Sequence, residues 1–180
     1  MFGDGASNEG AVHEAMNFAA VFNLPIVFVV KNNRYACSTP TANIIPTTIL
    51  ADRAKAYGFP GYVANGNDVL DVYETVSRAV EDARAGKGPA LVECRTYRLS
   101  GHSGNDKNVY RTKNEVIRWQ QDCPIRKLEG YITAAGFASQ EEVDALRQRV
   151  LDKVDAAFAE ACCAPDPDVE TLLSERQMIC

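Results

Sequence analysis

The spacing between Gly3-Asp4-Gly5 and Lys31-Asn32-Asn33-Arg34-Tyr35 constrains this chain more than any other feature, because it leaves room for one helix and one strand. Met1-Phe2 reads as the end of a strand. Asn8 to Phe22 carries apolar residues at Ala11, Ala15, Phe18, Ala19 and Phe22, and Leu24 to Val30 is a short apolar run rich in β-branched residues. The order is strand, helix, strand. A crossover of about 30 residues joins parallel strands of one sheet in the right-handed sense, so both motifs are expected at carboxyl ends, where open α/β sheets bind ligands.

Asp4 and Asn33 then become candidate metal ligands. A carboxylate and an amide oxygen are hard donors of the kind Mg²⁺ takes, and Mg²⁺ keeps part of its shell for phosphates and water. Gly3 and Gly5 allow close backbone approach, and Ser7 or Asn8 is placed to cap the following helix. A helix amino terminus there presents free N–H groups and a partial positive charge to a diphosphate. Alone, Gly-Asp-Gly reads as a turn and Asn-Asn as a loop; the βαβ spacing is what joins them.

The rest of the chain continues the α/β pattern. Thr48 to Tyr57 reads as a helix ended by Gly58. Asp68 caps a helix with the stripe Val69, Val72, Tyr73, Val76, Ala79, Val80 and Ala83, stopped by Gly86 and Gly88-Pro89. Pro89 to Tyr97 reads as another strand, which delivers the His102 loop at a further carboxyl end. Ser139-Gln140-Glu141-Glu142 is a capping-box pattern opening a long helix with Val143, Leu146, Val150, Val154 and Phe158, read as a docking surface and ended by Ala164-Pro165-Asp166-Pro167. We expect a doubly wound, mainly parallel sheet, with residues 1–125 forming the cofactor-binding part and residues 126–180 a helical extension of the same domain.

Composition narrows the function. At 180 residues and 46% hydrophobic content, the chain can bury one core. A net charge of -5 without clustered Lys and Arg argues against nucleic acid. The apolar run Leu24 to Val30 is too short to span a bilayer, so no membrane is expected and a cytoplasmic location is the default. The six cysteines show neither Cys-x-x-Cys spacing nor histidine partners, and are read as reduced.

Gly3 to Tyr35 resembles the thiamine-diphosphate signature. Gly3-Asp4-Gly5-Ala6-Ser7-Asn8-Glu9-Gly10, His13 to Ala20, Leu24-Pro25 and Ser38-Thr39-Pro40 are similar to the alpha subunit of the decarboxylating first component of 2-oxo acid and acetoin dehydrogenase complexes. Thr96-Tyr97-Arg98, Gly101-His102-Ser103, Asp106 and Tyr110-Arg111 resemble that family's active-site loop, and Glu115, Trp119, Asp122 and Pro124-Ile125 its helical sequel. The resemblance runs from Met1 to about Glu160 and implies a partial thiamine-diphosphate-binding fold. It implies that Asp4, Asn33 and the backbone carbonyl of Tyr35 hold Mg²⁺, that Gly5 and Ala6 approach the diphosphate, and that Lys31 adds positive charge. Arg34 stands where many relatives carry glycine.

On the same footing, His102 lies near the cofactor and serves proton transfer, for which an imidazole with a pKa of about 6.5 is suited. His13 is read as structural. Arg98, Asp106, Tyr110 and Arg111 order the loop or meet an incoming lipoyl domain, and Ser103 corresponds to a position phosphorylated in mitochondrial relatives. The implied reaction is cleavage beside the carbonyl of pyruvate, a branched-chain 2-oxo acid or acetoin, with the acyl unit passed to a lipoyl group. A beta subunit, in a heterotetramer, is expected to supply the glutamate that activates the cofactor, and the chain is expected to be the carboxyl-terminal part of its subunit. A silent assembly module and a transketolase-like transferase are the alternative readings.

Overall fold

The computed structural model describes residues 1–166 and 168–170; Pro167, the tail and Cys180 lie outside the described residues. In chain order the elements are β1 (Phe2–Gly3), α1 (Gly10–Val21), β2 (Val27–Asn32), the short strands β3 (Tyr35–Ala36) and β4 (Thr39–Pro40), a 3₁₀ segment (Leu50–Tyr57), β5 (Gly61–Asn65), α2 (Val69–Arg84), β6 (Ala90–Arg95), α3 (Lys113–Gln121), α4 (Pro124–Ala134) and α5 (Gln140–Cys163). Four strands form one parallel sheet in the order β1-β2-β6-β5, and β3 pairs with β4 as a separate antiparallel ribbon. The chain divides into two compact units, Met1–Gly130 and Tyr131–Cys180.

The sheet is wound on both faces. Phe28 and Val30 of β2 and Leu91 of β6 point to one side, where Met16 and Ala20 of α1 meet Leu50 and Ala54 of the 3₁₀ segment. Val27, Val29, Ala90, Val92 and Cys94 point to the other, against Val72, Val76 and Ala79 of α2. This alternation is the period-2 geometry of strands covered on both faces. The crossovers β1-α1-β2 and β5-α2-β6 run in opposite directions across the sheet, which places their helices on opposite faces and makes β2 and β6 the switch point.

Several local readings need correction. A 3₁₀ turn at Ala6–Asn8 precedes α1, whose cap position is Glu9 without a side-chain bond, so neither Ser7 nor Asn8 caps it. Ser7 is pulled inward instead, its hydroxyl bonding the Asp4 carbonyl. The buried stripe of α1 is Val12, Met16, Ala19 and Ala20, while Phe18 and Phe22 lie exposed, their tilted rings in contact with each other. A helical period offers more than one stripe, and contact with the 3₁₀ segment selects between them. The helix expected before Gly58 is present as a 3₁₀ segment that starts at Leu50 rather than Thr48 and is closed by Gly58 at φ 81°. Strand β5 and the β3–β4 ribbon were not expected from the sequence.

Two helix caps are as read. Asp68 accepts from the amides of Leu70 and Asp71 at the start of α2. Val69 and Tyr73 stay exposed, so only the Val72, Val76, Ala79 and Ala83 part of that stripe is packed. Within the second unit, Ser139 and Glu142 form a reciprocal capping box, Val143 is buried, and Leu146, Val150, Val154 and Phe158 are exposed. The described cysteines Cys37, Cys94, Cys123, Cys162 and Cys163 are all free. Among the described residues no helix is long and apolar enough to cross a membrane.

Gly61 opens β5 against the 3₁₀ segment, where a Cβ would stand 2.1 Å from the Ala51 carbonyl oxygen. Backbone on both sides leaves nothing to rotate away. Gly61→Ala is expected to destabilise the chain by about 2 kcal/mol or more, the scale of overpacking a core, read as a lower denaturation midpoint at unchanged m-value.

Candidate active site

Parallel register brings the two motifs together. Gly3 pairs with Lys31 across β1 and β2, and Asn32 pairs with Arg95 across β2 and β6, so Asp4, Asn33 and the segment after Arg95 leave the sheet at one edge. Asp4 is 2% exposed. One carboxylate oxygen accepts the Gly5 amide at 2.8 Å and the other accepts the Thr41 hydroxyl at 2.8 Å. The Thr41 amide in turn donates to the Arg34 carbonyl at 2.9 Å. Thr41 therefore stitches Gly-Asp-Gly to the Asn-Asn turn, each bond to a charged group being worth about 1.5–3 kcal/mol.

Gly5 shows the same convergence sterically, since a Cβ there would approach the Ala36 Cβ to 2.7 Å. Ala6 is exposed beside it. Arg53 holds the turn that follows, donating to the Ser7 carbonyl at 2.5 Å and to the Asn8 side chain at 2.7 Å. His13 bonds the Tyr57 hydroxyl at 2.6 Å, away from Asp4 along α1. Lys31 is exposed at the end of β2, beside Gly3 in register.

Asn33 accepts the Tyr35 amide through its side-chain oxygen at 3.2 Å. Between them Arg34 has φ 74°, a left-handed conformation that a glycine adopts without penalty. The Tyr35 carbonyl receives Arg98 at 3.4 Å, and the Tyr35 ring is buried. Burial first, and the hydrogen bond to Glu115 second, push the Tyr35 hydroxyl up to about 12. A carboxylate, an amide oxygen and a peptide carbonyl are an all-oxygen donor set with one negative charge. That set would fit a hard dication.

The His102 loop is held at its base. Arg111, 9% exposed, donates to the carbonyls of Arg98, Leu99 and Ser100 and to the Asn108 side chain. Asp106 accepts the Tyr110 hydroxyl at 2.6 Å, the His102 amide at 2.7 Å and the Asn108 amide at 2.8 Å. Arg98 completes the link, donating to the Tyr110 hydroxyl and to the Cys37 carbonyl. The side chains of His102 and Ser103 are exposed. Thr41, Arg53 and Glu93, a buried glutamate of β6, were not singled out in the sequence; no local motif marks them, because the partners that tie them across the fold lie 37 to 61 positions away.

Beside these residues lies a cleft of about 370 Å³ bounded by Asn32, Arg34, Tyr35, Thr41, Arg95 and Glu115. The fold and this edge define an α/β protein whose candidate site lies at the carboxyl ends of its parallel strands. The family described as the dehydrogenase E1 component matches residues 1–170, and the chain belongs to that family. It is 39% identical over 175 residues to the pyruvate dehydrogenase E1 component subunit alpha of Rhizobium meliloti, covering 97% of this chain and 50% of the relative. It is 42% identical over 161 residues to the 2-oxoisovalerate dehydrogenase subunit alpha of Bacillus subtilis, covering 89% and 48%. Against the alpha subunit of the acetoin:2,6-dichlorophenolindophenol oxidoreductase of Bacillus subtilis it is 39% identical over 175 residues, covering 97% and 52%. The chain spans about half the length of these relatives.

The Tyr110 hydroxyl first, then the His102 and Asn108 amides, lower the Asp106 carboxyl from 3.8 to about 2. A depressed folded-state value means that its contribution is present above the ordinary value and is lost as pH falls from about 4 toward about 2. Hydrogen exchange at the His102 and Asn108 amides, corrected for its intrinsic pH dependence, is expected to lose protection over that window. Asp106→Asn is expected to weaken the same protection at neutral pH.

Proposed function

We propose that this chain serves as part of the alpha subunit of a thiamine-diphosphate-dependent dehydrogenase acting on a 2-oxo acid, pyruvate or branched-chain, or on acetoin. The observation that carries the proposal is the stitching of Asp4 to the Asn33–Tyr35 turn through Thr41. It supports one oxygen-lined site built from both halves of the signature. In this reading Asp4, Asn33 and the Tyr35 carbonyl hold Mg²⁺, and Gly5, Ala6 and Lys31 receive the diphosphate. Thiamine diphosphate, when bound, supplies the carbanion chemistry that breaks the bond beside the substrate carbonyl.

The chain's own residues bind, orient and move protons. Asp4 is preorganised by two donors, so a metal meets a fixed oxygen rather than a rotating one. His102 projects from a loop whose backbone is fixed by Asp106, Arg98 and Arg111, which lets an exposed imidazole exchange protons at a defined place. Arg98, Asp106, Tyr110 and Arg111 order the loop, which with the exposed Ser103 is offered to a lipoyl domain that takes the acyl unit. A beta subunit completes the site with the activating glutamate. The reading divides the chain into a cofactor-binding part, residues 1–125, and a helical extension, residues 126–180. Free cysteines agree with a cytoplasmic location, which belongs to the same proposal.

Titration of thiamine diphosphate into the assembled enzyme, with and without chelator, tests the metal site. Asp4→Ala and chelation are each expected to weaken cofactor binding by at least about tenfold, or 1.4 kcal/mol; equal affinity throughout would remove the metal bridge. His102→Ala is expected to slow lipoyl acylation by about 10²-fold or more while cofactor affinity stays nearly unchanged. Normal acylation by that variant would leave His102 as solvated surface.

A further inference from the structure

Glu93 is the most enclosed carboxylate among the described residues, 0% exposed in the middle of the central strand β6, between Val30 of β2 and Val63 of β5. A buried carboxylate is tolerated only when its oxygens are met by donors. Glu93 has four. One oxygen accepts the backbone amides of Leu50 and Ala51 at 2.7 and 3.0 Å; the other accepts the Asn32 side-chain amide at 2.8 Å and Arg95 Nε at 3.0 Å. Arg95 is itself fixed by the Thr48 carbonyl. No part of the site described above uses this carboxylate.

Its consequence for Asn32 is directional. With its oxygens facing only donors, Glu93 requires Asn32 to present its NH₂ group, and that fixes which end of the amide is oxygen. The Asn32 oxygen then faces the other way, where it accepts the Arg34 amide at 3.3 Å. Arg34 is the residue in the left-handed conformation, so its amide hydrogen bond helps hold a turn that a non-glycine residue resists. The same turn carries the Asn33 side chain and the Tyr35 carbonyl.

We propose that Glu93 is a positioning residue that sets the Asn33–Tyr35 turn through the orientation of the Asn32 amide. Resting on the function proposed above, this makes a residue in the sheet interior a determinant of metal affinity. Glu93→Gln is the isosteric test, since a glutamine cannot accept on both sides. Its NH₂ group must oppose either two backbone N–H groups or both the Asn32 NH₂ and Arg95 Nε–H. Turning over the Asn32 side chain while the part-exposed Arg95 side chain moves aside is the easier response, since backbone amides cannot turn, and it takes the acceptor away from Arg34.

The experiment measures two things on the assembled enzyme with thiamine diphosphate: Mn²⁺ affinity, with Mn²⁺ as a paramagnetic probe for Mg²⁺, and hydrogen exchange at the Arg34 amide. Glu93→Gln is expected to raise exchange at Arg34 and to weaken Mn²⁺ binding, each by about tenfold or more. Asn32→Ala should do the same while leaving the Leu50 and Ala51 amides protected, and in that background Glu93→Gln should add no further loss of Mn²⁺ affinity. A Glu93→Gln protein that loses protection at Leu50 and Ala51, yet keeps wild-type Arg34 exchange and Mn²⁺ affinity, overturns the proposal and leaves Glu93 as an anchor of the 3₁₀ segment. Should Glu93→Gln not fold, Asn32→Ala decides alone, and unchanged values in it overturn the link. Absence of saturable Mn²⁺ binding in the wild type would sink the metal reading instead, and Arg34 exchange would then decide the Glu93–Asn32 link by itself.

Discussion

The pairing of β2 with β6 is the contact on which the remaining structure depends. Six consecutive residues of each strand are in parallel register, from Val27 with Ala90 to Asn32 with Arg95. Parallel pairing sends both chains out at the same edge, and alternation assigns Val27, Val29, Val92 and Cys94 to one helix layer and Phe28, Val30 and Leu91 to the other. A slip of one residue would exchange these faces. It would also move Glu93 from the side where Leu50, Ala51 and Asn32 await it to the side lined by Val76 and Ala79.

Polar burial is concentrated beyond the strand ends, with Glu93 inside β6 the exception. Asp4, Ser7, Asn67, Glu93 and Arg111 are the buried polar residues of the first unit, and each is hydrogen-bonded. Asn67 shows what such groups do. It accepts the Thr96 hydroxyl at 2.6 Å and donates to Asp122 at 2.9 Å, tying the exits of β5 and β6 to the end of α3. Hydrophobic packing fixes the sheet, but it has no direction at the strand termini, where side chains must be aimed. Hydrogen bonds to buried groups supply the direction, because leaving any one unmet costs about 1–3 kcal/mol.

The Asp68 cap and the Ser139 capping box were legible because each rests on neighbours a few positions apart, and the βαβ unit because its helix and second strand each carry a local pattern. Strand β5 was not. Its five residues begin with Gly61 and end with Asn65, and Tyr62-Val63-Ala64 alone gives too short a pattern to register as a strand. Its existence depends on the edge that β6 offers, a contact some thirty residues away in sequence. The outward placement of Phe18 and Phe22 was equally hidden, since periodicity defines a helix without choosing which stripe meets the core. At the site, Asp4, Asn33 and His102 belong to contiguous motifs, whereas Thr41, Arg53 and Glu93 act across the fold and leave no local signature.

Arg34 shows how a departure from the usual pattern can be accommodated. A side chain at φ 74° carries a penalty of about 1–2 kcal/mol that glycine avoids. Its guanidinium lies 4.7 Å over the ring of Trp119, and the same ring stacks on Tyr97 at 5.2 Å with an interplanar angle of 3°. A cation over an exposed aromatic face returns about 0.5–1 kcal/mol. The stack therefore offsets much of the strain and adds something glycine lacks, a contact between the turn and α3. Glu115 on that same helix accepts the Tyr35 hydroxyl one residue farther along the turn. Two successive residues of the turn are thus fastened to α3, which follows directly from the His102 loop, so this sequence couples the turn that carries Asn33 to the loop that carries His102 through an aromatic and carboxylate face.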